Sequence, residues 1–129
     1  MADRKTVLVV DDASLVRLYY RSTLQKAGFE VQEAMNGLEA LEKLLNEPAS
    51  VDMLIVDVNM PQMDGFSFLD TRRQKEGPIA GIPALVTSTE SADADFAAAR
   101  TAGANFYLVK PIDPQVLVEF VAMFCGVRR

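Results

Sequence analysis

Residues Val51–Pro61 read VDMLIVDVNMP, and the reading of this stretch decides the fold. Met53-Leu54-Ile55-Val56 is a continuous apolar run, the pattern of a strand buried on both faces. Asp57 follows at once, and Pro61 ends any regular structure. An ionised carboxylate is costly to take out of water without partners, so a lone one ending a buried strand is a placed residue. Candidate partners stand in the same way at the ends of other apolar runs: Asp11 and Asp12, Thr87, and Lys110.

Outward from this strand the chain alternates between two periodicities. Thr6–Val10 (TVLVV) reads as a buried strand that ends at Asp11-Asp12. Ser14–Ala27 is a helix with Val16, Tyr20, Leu24 and Ala27 on one face, stopped by Gly28. Phe29–Ala34 is a short strand, Asn36-Gly37 a turn, and the leucines 38, 41, 44 and 45 mark a second helix. After the Met53–Asp57 strand, Asp64-Gly65 opens a helix to about Lys75, and Gly77–Pro83 is a loop. Ala84–Thr87, an Ala-rich helix over Ala92–Ala102, and Asn105–Lys110 follow. Asp113-Pro114, a cap with proline in the first helical position, opens a last helix to about Cys125. In that helix Val116, Leu117, Phe120, Val121 and Phe124 are expected to face the sheet. Val118, Ala122 and Cys125 form a second apolar stripe, either covered in part by helix four or left at the surface, where it would form an apolar patch.

Five alternations of strand and helix argue an α/β fold with a parallel sheet and right-handed crossovers. For five strands the flavodoxin-like, doubly wound order 2-1-3-4-5 is the expected one, with five helices. It makes strands one and three neighbours at the topological switch point, where ligands bind beyond the carboxyl ends.

Composition narrows the chemistry. The 129 residues suit one domain, 1–129, with its core at about 5–125. The formal net charge is −5 with scattered Lys and Arg, which gives no nucleic-acid footprint. Apolar runs are far shorter than the ~20 residues of a membrane helix, and Met1–Lys5 shows no signal sequence. The single cysteine, Cys125, fits a reducing cytoplasm. The lack of histidine removes the usual general base, and with one cysteine it leaves no zinc ligand set.

The expected topology brings Asp11, Asp12 and Asp57 together. Three nearby carboxylates repel one another unless a cation intervenes, and without His or Cys ligands the natural cation is Mg²⁺. Thr87 offers a hydroxyl and Lys110 a fixed positive charge. A carboxylate nucleophile, a metal, an ammonium and a hydroxyl around one space suit phosphoryl transfer onto an aspartate. Each residue also has a plain reading. Asp11 and Asp12 could cap the first helix, Asp57 could cap a turn, Lys110 could be a solvated lysine and Thr87 an ordinary strand-end residue.

The stretches VLVVDDASLVR, LIVDVNMPQMDG, ALVTSTE and AGANFYLVKPI, with the closing helix, resemble the receiver domain of two-component response regulators over essentially the whole chain. Receivers of the CheY type are themselves a standard example of the 2-1-3-4-5 order, so strand order and resemblance are not independent. The resemblance implies that Asp57 is the phosphoacceptor, and that Asp11, Asp12, Asp57 and the backbone carbonyl of Asn59 hold Mg²⁺. It implies that Thr87 is the switch hydroxyl, Lys110 the paired lysine and Tyr107 the switch aromatic, turning inward on phosphorylation. It also implies a cis Lys110-Pro111 bond. The implied donor is a histidine kinase or histidine phosphotransfer protein. It would dock on the first helix around Leu15, Leu18, Tyr19 and Ser22, although Tyr19 could instead shield a neighbouring helix. The implied output is a phosphorylation-dependent protein target, or self-association, through the face of helix four, strand five and helix five. Chemotaxis is among the processes such domains serve.

The expected function is therefore a cytoplasmic phospho-switch. It is no enzyme beyond Mg²⁺-dependent autophosphorylation from small donors and autodephosphorylation. The chain ends soon after the last helix, so a stand-alone receiver is expected, with a receiver portion of a larger regulator or hybrid kinase as the alternative. An aspartyl-nucleophile phosphohydrolase is a third reading. That class carries a second acidic residue two places after its nucleophile, and here Asn59 cannot exchange a proton.

Overall fold

The structure, a computed structural model, describes residues 4–127 except 48, 49, 59, 61, 62, 76 and 90–92. Five strands form one parallel sheet: β1 (Thr6–Val10), β2 (Glu30–Ala34), β3 (Met53–Asp57), β4 (Ala84–Ser88) and β5 (Phe106–Val109). Their order is β2-β1-β3-β4-β5, the flavodoxin-like order expected. The helices are α1 (Ser14–Lys26), α2 (Gly37–Asn46), α3 (Gly65–Arg73), α4 (Asp93–Thr101) and α5 (Pro114–Cys125). Within the Gly77–Pro83 loop, Pro78–Gly81 makes one 3-10 turn.

Helix starts follow local chemistry. The Asn36 side chain accepts from Glu39 N–H at 2.8 Å, Asp64 from Ser67 N–H at 2.9 Å, and Asp113 from Gln115 N–H at 2.9 Å. Each satisfies a backbone donor that a helix start leaves unpaired. Helix α1 is different: its cap is Ala13, with no side-chain cap. Asp11 and Asp12 are thus not the caps of α1.

Alternation along the strands sorts the core into two layers. Leu8, Val10, Leu54, Val56, Ala84 and Val86 pack with α2, α3 and α4 through Leu41, Leu44, Phe68, Leu69 and Ala99. Val7, Val9, Met53, Ile55 and Leu85 pack on the other face with α1 and α5, through Tyr20, Leu24, Leu117 and Val121. The parity continues to the strand ends. Asp11, Asp57 and Thr87 share the phase of Val9, Ile55 and Leu85, so they fall on the α1/α5 face.

Helix α5 departs from expectation. Its buried residues are Leu117, Val121, Ala122 and Cys125, with Val118 and Phe124 packed against the same layer. Val116 is exposed, and the Phe120 ring sits 4.6 Å from that of Phe106. The two stripes read from the sequence are thus one broad arc, turned so that most of the second stripe goes inside. An almost wholly apolar helix carries little phase information, and contact with the sheet sets its rotation.

Candidate functional site

Four strand ends build the site. Asp11 follows β1, Asp57 ends β3, Thr87 lies in β4 and Lys110 follows β5. The β3–β4 register sets Asp57 directly beside Thr87, and Lys110 N–H donates to Ser88 O at 2.7 Å. The Lys110 Nζ donates to Asp11 Oδ2 at 2.8 Å and to Asp57 Oδ1 at 3.0 Å. Asp11 and Asp57 are buried, and Asp12 is exposed at their edge. One carboxylate oxygen from each of the three lies within 4.8 Å of the others. Every sequence-predicted acidic residue therefore converges with Lys110 at one point.

Electrostatics at this point are unbalanced. Burial pushes the Asp57 carboxyl above its ordinary value. The Lys110 hydrogen bond opposes that, and the charge of Asp11 adds to it. Burial by itself would lower Lys110, but its hydrogen bonds to Asp11 and Asp57 outweigh it and hold the ammonium above the ordinary lysine value. Three carboxylates thus face one ammonium. Such a set of hard oxygen donors suits a hard divalent cation, which would relieve the repulsion that Lys110 only partly offsets. The Asn59 carbonyl expected as a further ligand lies outside the described residues.

Thr87 is fully buried, and its Oγ1 has no hydrogen bond of good geometry. A buried hydroxyl left in this state costs stability and is poised to accept a new partner. Tyr107 is 8 % exposed and packs with Ala99 and Ala102 in the α4 layer. The ring, for which the resemblance implies an inward turn on phosphorylation, lies inside in this structure. Its register partner is Val86, not Thr87, so it points to the opposite face from the carboxylates. The Lys110-Pro111 bond is cis.

Three further side chains shape the site: Arg17, Tyr19, which the sequence places on the docking surface of the first helix, and Tyr20. Arg17 Nη1 donates to the Asp11 backbone carbonyl at 2.6 Å, while its Nε donates to Glu33 Oε1 at 3.0 Å; together they fix the turn after β1. Tyr19 Oη donates to Ile112 O at 2.6 Å and ties α1 to the chain just beyond Lys110. The hydroxyl of Tyr20, a residue read only as core, lies beside Thr87. A polar-tipped aromatic in an otherwise apolar helical stripe is the signal that marks it.

Comparisons with known proteins converge on one family. The family described as "Response regulator receiver domain" matches residues 7–122. The chain is 40% identical over 121 residues to the chemotaxis protein CheY1 of Helicobacter pylori, covering 93% of this chain and 96% of that one. It is 40% identical over 114 residues to a chemotaxis protein CheY homolog of Campylobacter jejuni, covering 88% and 86%. The structure of the chemotaxis response regulator CheY4 of Vibrio cholerae superposes with a TM-score of 0.85 at 36% identity, over 95% of this chain and 99% of that one. With the fold, the acidic cluster and these relatives in agreement, the chain belongs to the receiver-domain family of response regulators, of the CheY type.

Proposed function

We propose that this protein is a phospho-acceptor switch of a two-component system and that Asp57 is the residue modified. The observation that carries the reading is the ammonium of Lys110 bridging buried Asp11 and Asp57, beside a buried Thr87 hydroxyl that lacks a hydrogen bond of good geometry. An Asp57 carboxylate oxygen attacks phosphorus, the bond from phosphorus to the donor breaks, and the donor leaves with that electron pair. Asp11, Asp12 and Asp57 would hold Mg²⁺, with Asn59 supplying a carbonyl. Bound Mg²⁺ supplies charge neutralisation for the phosphoryl oxygens. Lys110 holds the carboxylate and then the phosphoryl group by charge, and Thr87 donates its hydroxyl hydrogen to a phosphoryl oxygen. The residues support slow autophosphorylation from small donors and autodephosphorylation, and no other turnover.

With no histidine in the chain, the phosphoryl group comes from outside it, from a histidine kinase or histidine phosphotransfer protein in the cytoplasm. Leu15 and Leu18 are 78% and 55% exposed on α1, beside an apolar groove lined by Tyr19, Pro111, Ile112 and Pro114. This is the surface on which the donor would dock. The output face would comprise α4, β5 and α5, with residues 1–129 acting as one receiver. Phosphorylation would hold Tyr107 in the inward packing described above and so favour one arrangement of that face. The test is phosphotransfer profiling against purified, labelled histidine kinases. Label should pass to the wild type from a cognate kinase and not to Asp57→Asn. Equal transfer to both proteins would overturn the reading.

A further inference from the structure

Tyr20 is 1% exposed and reaches from α1 into the layer between that helix and the sheet. Helical side chains lean toward the helix N-terminus, which for α1 is the end beside Asp11 and Asp12. Thr87, Asp57 and Asp11 are directed to this same face by strand parity. The Tyr20 hydroxyl therefore meets the Thr87 hydroxyl inside the protein, within electrostatic reach of Lys110, Asp11 and Asp57. The two hydroxyls are adjacent, yet Thr87 Oγ1 lacks a hydrogen bond of good geometry. A threonine hydroxyl has one hydrogen to give and two lone pairs to fill. Once its hydrogen points to a phosphoryl oxygen, its lone pairs need a buried donor, and Tyr20 is placed to be that donor.

We propose that Tyr20 is a positioning residue of the switch: it donates its phenolic hydrogen to Thr87 Oγ1 when Thr87 donates to a phosphoryl oxygen on Asp57. This rests on the reading of Asp57 and Thr87 given above and extends it by one link, from α1 through β4 to the phosphoryl group. Each hydrogen bond in such a chain polarises the next, so the link favours the phosphorylated state. Burial, the largest influence on Tyr20, raises its phenol above the ordinary value, so the donor hydrogen is retained across the neutral range.

The experiment measures the affinity of the phosphoryl mimic fluoroberyllate, with Mg²⁺ present, for four proteins: wild type, Tyr20→Phe, Thr87→Val and the double variant. Phenylalanine keeps the ring packed and removes only the hydroxyl. Tyr20→Phe should bind fluoroberyllate roughly three- to tenfold more weakly, the worth of one neutral hydrogen bond. In the Thr87→Val background the same change should have no further effect, because Tyr20 acts through Thr87. Mg²⁺ affinity without fluoroberyllate should be alike in all four, a readout that a merely structural disturbance would move. Unchanged affinity in Tyr20→Phe, or a loss that persists undiminished beside Thr87→Val, would overturn the role of Tyr20 alone. Failure of the wild type to bind fluoroberyllate would overturn the phosphoacceptor reading, and this inference with it. Should Tyr20→Phe fold poorly, proton NMR of the wild type decides. Fluoroberyllate should slow exchange of both the Tyr20 and the Thr87 hydroxyl protons, and an effect on Thr87 only would refute the link.

Discussion

At the residue scale, Asp57 is held at a cost. Burial raises its carboxyl pKa, and Lys110 recovers only part of that. A carboxyl raised above its unfolded value stabilises the fold most in the protonated form. That contribution is lost as pH rises from the ordinary carboxyl value through the raised one. At neutral pH the charged form therefore weakens the fold, as expected of a site kept for function. Asp57→Asn should raise the thermal unfolding midpoint by a few degrees at neutral pH, and the gain should shrink as pH falls through the carboxylate range. Calorimetry across that range checks both size and sign. Lys110 has the same sign of pH dependence, but there the charged form is the one the fold favours. Its raised pKa makes a contribution present below 10.5 and lost as pH rises through the shifted value. Asp11, Asp57 and Lys110 were legible in the sequence because each ends or follows an apolar strand run. Tyr20 was not, because a residue at the right helical spacing for the core reads as core.

At the element scale, two contacts position the site from behind. Gly65, the first residue of α3, comes so close to β3 that an added Cβ would lie 2.3 Å from the Asp57 carbonyl oxygen. Backbone cannot yield as a flexible side chain can. Gly65→Ala should cost about 1–3 kcal/mol in urea unfolding and displace the Asp57 amide resonance. Arg72, in the same helix, is 2% exposed. It donates to the carbonyls of Ile79, Ala80 and Ile82 through Nη1 and to Gly103 through Nη2, at 2.7–3.3 Å. This fork joins α3 to the 3-10 turn before β4 and to the turn before β5. Burial, aided by Arg73, lowers its pKa, and carbonyl oxygens take the place of a carboxylate. Arg72→Lys should lose about 2–4 kcal/mol of stability, since an ammonium cannot span both sets of carbonyls. Strand and helix order was legible from periodicity, with ends displaced by a residue or two. The phase of α5 was not, because its apolar residues leave no polar side to orient it. A buried arginine was not either, since it looks like any surface charge until the turns close over it.

At the scale of the whole molecule, the sheet holds its chemistry on the α1/α5 face and Tyr107 on the other, with β4 and β5 joining the two. On β5 and α5 the exposed large apolar residues are Phe106, Val109, Val116 and Met123, with the Phe120 ring tilted against Phe106. Val118, from the stripe that the sequence offers as a possible exposed patch, packs against the core instead, so Met123 is the better probe of this face. Met123→Lys should weaken phosphorylation-dependent binding or self-association while leaving modification of Asp57 intact; sedimentation of the phosphorylated form checks it. The phosphoacceptor itself is tested most directly by intact-protein mass spectrometry after incubation with acetyl phosphate and Mg²⁺. Wild type should gain the mass of one phosphoryl group, with fragmentation placing it on Asp57, and Asp57→Asn should gain none. The same mass gain in Asp57→Asn, or a phosphoryl group mapped to another residue, would contradict the assignment.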